Sequence, residues 1–173
     1  MNQNPKYNLK QKKLYNLIRK IRMVVFDFDG VFTDDRVLVL EDGTEGVFCF
    51  RGDGLGLKKL KQKAIALLVI SSEVNPVVTV RCKKLGLPCV QGCDDKVCIL
   101  EAKAKKLKIP LEEIAYVGND INDIGCLKKV GLPVCIAGSP PELLDIARYI
   151  TKSKGGYGAV REFCDFVVMV KNE

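Results

Sequence analysis

Short apolar runs alternate along this chain with segments of helical spacing. Residues 21–26, IRMVVF, are largely apolar at both odd and even positions, as in a strand that is covered on both faces of its sheet. Further strands are predicted in AIALLVI, LPCVQG, IAYVG and LPVCIA, each separated from the next by a helical segment. Strands that alternate with helices at short spacing predict βαβ units. We therefore expect an α/β fold with one parallel sheet and helices on both of its faces.

One segment interrupts the alternation. Residues 36–50, RVLVLEDGTEGVFCF, consist of two alternating stretches around the turn EDGTEG, which predicts a β-hairpin. We find no repeat, no low-complexity tract and no linker, so residues 21–173 are expected to form one domain. Residues 1–20 are basic and are expected to form a loosely attached helical extension.

The composition suits a cytoplasmic protein. The chain has 173 residues, 47% of them hydrophobic, which is enough for one well-filled core. No apolar run approaches the length of a membrane span, and the first residues lack the apolar core of a signal peptide, so no membrane partner is expected. Eight cysteines are scattered without a CxxC pair, which favours reduced thiols over disulfides or a zinc site.

The distribution of charge and the absence of histidine exclude several classes of function. The net charge is +7, but the excess lysine and arginine lies at the N-terminus and on predicted helices such as LKKLKQK and EAKAKKLK. These segments are typical of solvated helix faces, so no nucleic-acid partner is expected. The chain has no histidine, which excludes Ser–His–Asp and Cys–His triads. Proton transfer near neutral pH must therefore use a carboxylate, lysine, cysteine, tyrosine or water.

Polar residues follow several predicted strands at their carboxyl ends. Asp27 and Asp29 end the first strand, Ser71 follows the second, and Lys96 opens the helix after CVQG. The strand IAYVG is followed by the loop GNDIND, which carries Asn119, Asp120 and Asp123. Because ligands of open parallel sheets bind beyond the carboxyl ends of the strands, we expect these side chains to share one site.

These residue types together suit phosphoryl chemistry. Mg²⁺ prefers hard oxygen ligands, and Asp27, a backbone carbonyl near Asp29 and one oxygen of the GNDIND loop would provide them. Ser71 and Lys96 can donate to phosphate oxygens. A carboxylate that faces a bound phosphate can act as a nucleophile, and Asp29 can protonate the leaving oxygen and later activate water. This division of roles needs no histidine.

The motifs DFDGVFTDD, Ser71, Lys96 and GNDIND occur in the order of the four motifs of the haloacid dehalogenase superfamily of phosphohydrolases. More narrowly, the chain resembles the small capless branch that contains the 3-deoxy-manno-octulosonate 8-phosphate phosphatases. It also resembles the phosphatases of nine-carbon keto acids of the sialic-acid type and the carboxyl-terminal domain of some acylneuraminate cytidylyltransferases. The likeness spans about residues 21 to 168 and includes RGDGLGL, QGCDDK and GGYGAVREFCD.

The resemblance implies a Rossmann-like sheet with a β-hairpin flap and no cap domain. It implies that Asp27 is the nucleophile, that Asp29 is the acid/base, and that Ser71 and Lys96 bind phosphate. The implied Mg²⁺ ligands are Asp27, Asp29, Asn119 and Asp120. The implied partner is a small sugar-acid phosphate, and the implied assembly is a homotetramer in which the hairpin and GGYGAVRE help to close a neighbour's site.

The implied reaction is hydrolysis of the phosphate monoester of an eight- or nine-carbon 2-keto-3-deoxy sugar acid through an aspartyl-phosphate. The alternative is a catalytically weak tetramerisation or interaction module, like the carboxyl-terminal domain of the cytidylyltransferases. Asn119 favours the alternative, because it stands where the family has a metal-binding aspartate and brings no charge. Asp120 or Asp123 would then contribute more to the metal site.

Three further positions are candidate substrate selectors. The octulosonate enzymes typically have threonine, glycine and arginine after the second strand, whereas this chain has Ser71, Ser72 and Glu73. Glu73 together with Lys84 resembles the nine-carbon branch, although an exposed ion pair explains the two residues equally well. Arg51 is the third candidate; with Asp53 it either faces the site or forms an ion pair at the end of the hairpin.

A departure from the family pattern concerns the carboxyl-terminal motif. Tyr157 lies between glycines where the family commonly has arginine, which weakens a substrate contact carried over to this position.

Overall fold

Residues 9–173 are described by the structure, a computed structural model, and they form a parallel sheet with a separate hairpin. In chain order the strands are β1 (Met23–Phe26), β2 (Thr33–Val39), β3 (Glu45–Cys49), β4 (Ala66–Ile70), β5 (Cys89–Val90), β6 (Ile114–Gly118), β7 (Leu132–Cys135) and β8 (Tyr149–Ile150). Six of them pair in parallel in the order β5-β4-β1-β6-β7-β8, and β2 pairs with β3.

Helices cover both faces of the sheet, which confirms the predicted α/β architecture. They are α1 (Leu9–Lys20), α2 (Asp53–Gln62), α3 (Val77–Leu85), α4 (Lys96–Leu107), α5 (Ile124–Lys129), α6 (Pro141–Leu144) and α7 (Ala159–Asn172), with short 3-10 turns at Leu111–Glu113 and Ile121–Asp123. One core cluster joins the sheet to α1, α2, α3 and α7, and the other joins it to α4, α5 and α6.

The central strand β1 explains why its sequence is apolar at both odd and even positions. Val24 and Phe26 lie in one core cluster, whereas Met23 and Val25 lie in the other. All four side chains are buried because helices cover both faces of the sheet, and the backbone of β1 is hydrogen-bonded to β4 on one edge and to β6 on the other. The polar residues that follow β1, β4 and β6 therefore emerge side by side at the carboxyl edge of the sheet.

The hairpin predicted at residues 36–50 is confirmed, although it begins earlier, at Thr33. Val37 pairs with Val47 across its two antiparallel strands, and a register irregularity between Thr33 and Val37 bends the first of them. Large apolar side chains lie exposed on the hairpin and its ends: Val37, Leu38, Val39, Leu40, Phe48 and Phe50. No cap domain is inserted among residues 9–173.

The structure describes only part of the expected N-terminal extension, since residues 1–8 lie outside the described range. The part that it describes, α1, is packed rather than loosely attached: Tyr15 and Ile18 are buried in the core cluster that contains α7. The Lys171 ammonium also donates to the Arg19 carbonyl at 2.8 Å. The boundary between extension and domain at residue 20 stays a prediction.

Two local details differ from the sequence-based expectation. The helical segment after β7, α6, is only one turn long, and β8, which follows it, was not predicted, because two residues are too few for a periodic signal. The helical segment after β6 starts as a 3-10 turn at Ile121–Asp123 before it continues as α5. Across residues 9–173 no helix has the length and apolar character needed to span a bilayer.

Candidate active site

The site is built around the turn that follows β1. The Phe28 amide donates to Asp27 Oδ1 at 2.7 Å, which holds the carboxylate at the end of the strand. Gly30 has a φ of +67° and lies so close to Asn119 that a Cβ atom would be 1.9 Å from its side-chain nitrogen. Phe28 and Phe32 stack with ring centroids 5.7 Å apart and anchor the turn in the core. The sharp turn thus directs two aspartates to the edge of the sheet.

Lys96, the first residue of α4, connects the turn to the loop after β6. Its ammonium lies 2.8 Å from Asp27 Oδ2 and 2.8 Å from Asp123 Oδ1, and the residue is only 4% exposed. Burial alone would lower the pKa of Lys96, but the neighbouring carboxylates of Asp27 and Asp123 outweigh it and raise the pKa. Asp27 and Lys96, which the sequence analysis expected at one site, are therefore brought together in an ion pair that is shielded from water.

Asp123 is fully committed to hydrogen bonds within the protein. Its Oδ1 accepts from Lys96 and, at 2.8 Å, from the Tyr116 hydroxyl, while its Oδ2 accepts from the amide of Asn119 at 3.0 Å. The Asp120 amide lies 3.5 Å from the same oxygen. The expectation that Asp123 contributes to a metal site stays a prediction; in this arrangement its carboxylate orients Lys96 and the loop.

Asp29 is half-buried and is oriented by a threonine. Thr33 Oγ1 donates to Asp29 Oδ1 at 3.2 Å and accepts from the amides of Gly30 and Asp35 at 3.0 and 3.3 Å. Burial raises the pKa of Asp29, and the hydrogen bond from Thr33 opposes part of that rise. A carboxyl group whose pKa is raised retains a proton more readily near neutral pH, as an acid/base group requires.

The pKa of Asp27 is raised to about 7, first by burial and then by the negative charge of Asp123. Lys96 opposes this rise, but it does not cancel it. The surroundings of Asp27 therefore disfavour its ionised form. A second positive charge near Asp27, in addition to Lys96, would stabilise the carboxylate.

Asn119 offers a second sign that the site suits a cation. Its Oδ1 is buried and has no hydrogen-bond partner among residues 9–173, which is rare for a buried oxygen. No cluster of three or more acidic, cysteine or histidine side chains within the described range is arranged to hold a metal. The available oxygens are the carboxylates of Asp27 and Asp29, the Asn119 amide, nearby backbone carbonyls and the exposed Asp120. Such a hard-oxygen set with few charges fits Mg²⁺, which keeps several of its waters.

Ser71 lies at the carboxyl end of β4, only 2% exposed, and its hydroxyl accepts from the Glu73 amide at 3.1 Å. It lines a cavity of about 410 Å³, here called the catalytic cavity. The turn after β1, the loops after β4 and β6 and the hairpin together form its walls: Asp27, Asp29, Asp35, Arg36, Val37, Glu45, Val47, Ser71, Ser72, Glu73, Val74, Asn75, Val77, Asn119, Asp120 and Asn122. Lys96 lies behind Asp27 and is not among these lining residues.

The three candidate selectors are placed differently. Glu73 lines the catalytic cavity, and its Oε1 accepts from the amides of Val74 and Asn75 at 2.7 and 2.8 Å. Lys84 is exposed in the last turn of α3, about 10 Å along the helix axis from Val77 at the cavity wall. This chain therefore brings Glu73 to the site and leaves Lys84 away from it.

Arg51 is also exposed and does not line the catalytic cavity. Its expected partner, Asp53, is buried and accepts from the Arg161 amide at 3.0 Å. Asp53 thus caps the first turn of α7, and the structure shows no ion pair between it and Arg51.

The sequence analysis missed two residues that organise the site, Tyr116 and Thr33. Tyr116 is fully buried in β6, and its hydroxyl bonds Asp123. The available signal for Tyr116 was a phenol in an otherwise apolar strand that leads into GNDIND, since buried hydroxyls usually have partners.

A parallel sheet with two aspartates after its central strand, a buried lysine beside the first of them and a cavity with many polar lining residues defines a hydrolase of phosphoric monoesters. The chain belongs to the haloacid dehalogenase-like hydrolase family, and residues 87–163 match that family directly.

Within the family, the chain is 34% identical over 154 residues to the 3-deoxy-D-manno-octulosonate 8-phosphate phosphatase KdsC of Escherichia coli (strain K12). The match covers 88% of this chain and 82% of that enzyme.

Solved structures of similar phosphatases also resemble this chain in fold. The 3-deoxy-D-manno-octulosonate 8-phosphate phosphatase of Moraxella catarrhalis, in complex with magnesium ion, phosphate ion and KDO, is similar with a TM-score of 0.90 and 33% identity, over 93% of each chain. The corresponding phosphatase of Yersinia pestis gives a TM-score of 0.89 and 31% identity, over 92% of this chain and 87% of that one.

Proposed function

We propose that this protein is a Mg²⁺-dependent phosphatase that removes the phosphate of an eight- or nine-carbon 2-keto-3-deoxy sugar acid through an aspartyl-phosphate. The observation that carries the proposal is the placement of Asp27: its carboxylate faces the catalytic cavity and is held by the Phe28 amide at 2.7 Å and by the Lys96 ammonium at 2.8 Å. A nucleophile needs this fixed orientation toward the phosphorus atom.

The residues that would hold Mg²⁺ are Asp27, the carbonyl or carboxylate of Asp29, the unpartnered Asn119 Oδ1 and Asp120. When bound, the ion supplies positive charge that offsets the repulsion between Asp27 and the phosphate. Asn119 replaces a charged ligand by a neutral one, so we propose weaker binding of the ion than in an all-aspartate site.

The chemical steps follow from the two aspartates. Asp27 attacks phosphorus, and the bond from phosphorus to the sugar oxygen breaks while Asp29 gives that oxygen a proton. Asp29 then takes a proton from water, and the water oxygen attacks the aspartyl-phosphate. The bond between phosphorus and Asp27 breaks, which releases inorganic phosphate and restores the Asp27 carboxylate and the protonated Asp29. Thr33 keeps Asp29 in place throughout, and Ser71, which lines the cavity, can donate to a phosphate oxygen. Lys96 supplies positive charge from behind Asp27, where its ammonium lies 2.8 Å from the carboxylate.

Two observations bear on the sugar acid. The relatives named above act, by their names, on 3-deoxy-D-manno-octulosonate 8-phosphate, which supports the eight-carbon acid. Glu73 at the cavity wall supports a nine-carbon acid through its resemblance to that branch, and its carboxylate can accept hydrogen bonds from substrate hydroxyls. The deciding experiment is a phosphatase screen with Mg²⁺ over octulosonate 8-phosphate, nonulosonate 9-phosphates and simple sugar phosphates as controls. A preference for simple sugar phosphates would refute the proposed substrate class.

The second candidate function is a catalytically weak interaction module, and Asn119 is the observation that favours it. Asp27, Asp29, Ser71 and Lys96 oppose it, since a module without turnover does not need all four. Turnover with Mg²⁺ and its loss with a chelator would exclude the weak module.

We further propose a homotetramer in which the hairpin packs against neighbouring subunits. Its exposed Val37, Leu38, Val39 and Phe48 form an apolar surface of the kind that marks interaction sites. Light scattering should then give about four times the 19.2 kDa chain mass. Phe48→Ser should shift that mass downward, whereas Val80→Ser, an equally exposed position on α3, should not. A wild-type protein that scatters as a monomer contradicts the tetramer.

The described cysteines are all free thiols, which supports a reducing compartment, and we therefore propose a cytoplasmic location.

A further inference from the structure

A second cavity, of about 320 Å³, adjoins the catalytic cavity. Its walls are the loop after β7, residues 136–140, and the loop before α7, residues 154–157, together with the start of the hairpin. Asp35, Asn119 and Asp120 line both cavities. An elongated molecule whose phosphate lies at Asp27 can therefore extend past these three residues into the second cavity.

Unpaired polar atoms are concentrated at this second cavity. Five buried side-chain nitrogen or oxygen atoms in residues 9–173 have no hydrogen-bond partner, and three of them belong to residues that line it: Asp34 Oδ1, Asn119 Oδ1 and Ser139 Oγ. The Asp34 side chain is only 5% exposed and Ser139 only 8%. Because buried polar groups in folded proteins almost always have partners, these atoms indicate a ligand that completes their hydrogen bonds. A bound cation would be a partner for the Asn119 oxygen, but it does not explain the unpaired oxygens of Asp34 and Ser139.

The chemistry of the unpaired groups selects the ligand. The Asp34 carboxylate can only accept a hydrogen bond, whereas the Ser139 hydroxyl can both donate and accept. Lys154, whose exposed side chain is in no ion pair found within the described range, can only donate. A hydroxyl group satisfies all three, since it donates to the carboxylate and accepts from the ammonium.

Other small ligands fit less well. A free anion would be repelled by the carboxylates of Asp35 and Asp120, whereas the charge of Asp34 is already paired with Arg36 through its Oδ2. A metal ion would be repelled by the Lys154 ammonium and cannot accept a hydrogen bond from it.

The walls of the second cavity are fixed to the catalytic turn. A Cβ atom on Gly155 would lie 1.9 Å from the Gly30 carbonyl oxygen, so the two backbones are in direct contact. The Thr151 hydroxyl accepts from the Ala137 amide at 3.1 Å and donates to the Ser153 carbonyl at 2.7 Å, which ties the two loops together. The cavity is therefore formed before any ligand enters it, as efficient binding requires.

We infer that the second cavity is a subsite for the hydroxyl-bearing carbons of the substrate, with Ser139, Lys154 and Asp34 as its hydrogen-bonding groups. The inference rests on the proposed function, since it assigns the part of the substrate that lies beyond the phosphate. It makes Ser139 and Lys154 residues that determine preference for polyhydroxylated phosphates over simple ones.

The test compares a polyhydroxylated substrate with one that has no hydroxyl groups. For wild type, Ser139→Ala and Lys154→Met, kcat/KM is measured with octulosonate 8-phosphate and with p-nitrophenyl phosphate. In each variant the ratio of the two values should fall about tenfold, the effect typical of one lost hydrogen bond. Ser153→Ala, a nearby serine that lines neither cavity, should leave the ratio unchanged.

An unchanged ratio in both variants would overturn the subsite. This holds whether neither kcat/KM value falls or both fall by the same factor, since an equal loss indicates a structural role only. If wild type hydrolyses no eight- or nine-carbon acid phosphate, the proposed function fails, and the ratio is then measured with gluconate 6-phosphate. Independently of turnover, NMR should detect phosphate-free octulosonate on the wild-type protein and weaker binding to Ser139→Ala. Equal binding to both proteins would also refute the subsite.

Discussion

Asp53→Asn should stabilise the protein at neutral pH and leave it no more stable at acidic pH. Asp53 is buried at the start of α2; its Oδ1 accepts from the Arg161 amide, and its Oδ2 has no hydrogen-bond partner among residues 9–173. Burial raises the pKa of Asp53 from 3.8 to about 6, although the Arg161 amide and the positive charges of Arg81 and Arg161 oppose the rise. The folded protein thus holds this proton more tightly than the unfolded chain does.

The sign and size of the effect follow from linkage. Between pH 3.8 and about 6 the folded state binds more protons than the unfolded state, so the contribution of Asp53 to stability is lost as the pH rises through this window. Each tenfold change in proton affinity is worth about 1.36 kcal/mol, so the full loss amounts to roughly 3 kcal/mol. An amide of the same shape still accepts from Arg161 and does not ionise. We expect Asp53→Asn to gain about 1–3 kcal/mol at pH 8.

Urea unfolding of wild type and variant at pH 4 and pH 8 measures the difference directly. At about 2–4 °C per kcal/mol for a chain of this size, the melting temperature at pH 8 should rise by roughly 5 °C. Asp145→Asn, at an exposed position, is the control and should change neither value. If Asp53→Asn changes the free energy of unfolding by the same amount at both pH values, the buried charge is not the cause and the reasoning is wrong.

Three further predictions concern the catalytic residues. Asp27→Asn should abolish turnover, a loss of several orders of magnitude, in a protein whose circular dichroism is unchanged; near-normal activity would exclude covalent catalysis. Asp29→Asn should slow both formation and hydrolysis of the aspartyl-phosphate by roughly 10²–10⁴-fold, and rapid-quench trapping that finds neither step slowed would contradict its role. Asn119→Asp should tighten Mg²⁺ binding to the substrate-free protein in calorimetry, because it adds a charged ligand; an unchanged affinity would count against Asn119 as a ligand.

The sheet was predictable because burial on two faces leaves a strong mark on the sequence. A strand such as Met23–Phe26 must be apolar at every position, and its polar successors must then lie at the carboxyl edge of the sheet. The approach of Asp27 to Lys96 followed from that rule alone, although 69 residues of sequence separate them and no local pattern connects them.

The details that escaped prediction depend on which atoms meet in space. Asp123 carries the same side chain as a metal ligand would, and only the positions of Lys96 and Tyr116 show that its oxygens are already used. Lys84 was paired with Glu73 by analogy, but the direction of α3 carries it away from the cavity. Sequence spacing gives the residue types available at an edge of the sheet, whereas hydrogen-bond partners depend on the full packing.

The position of β1 in the middle of the sheet has a consequence for how the chain folds. Met23 pairs with Ala66 and with Ile114, about 40 and about 90 residues further along the chain. Each pairing closes a long loop before its contacts are gained, so folding is expected to be slow compared with that of a helical bundle of the same length. Until both neighbours arrive, a fully apolar strand has unpaired backbone on both edges, and the nascent chain is exposed to aggregation during that interval.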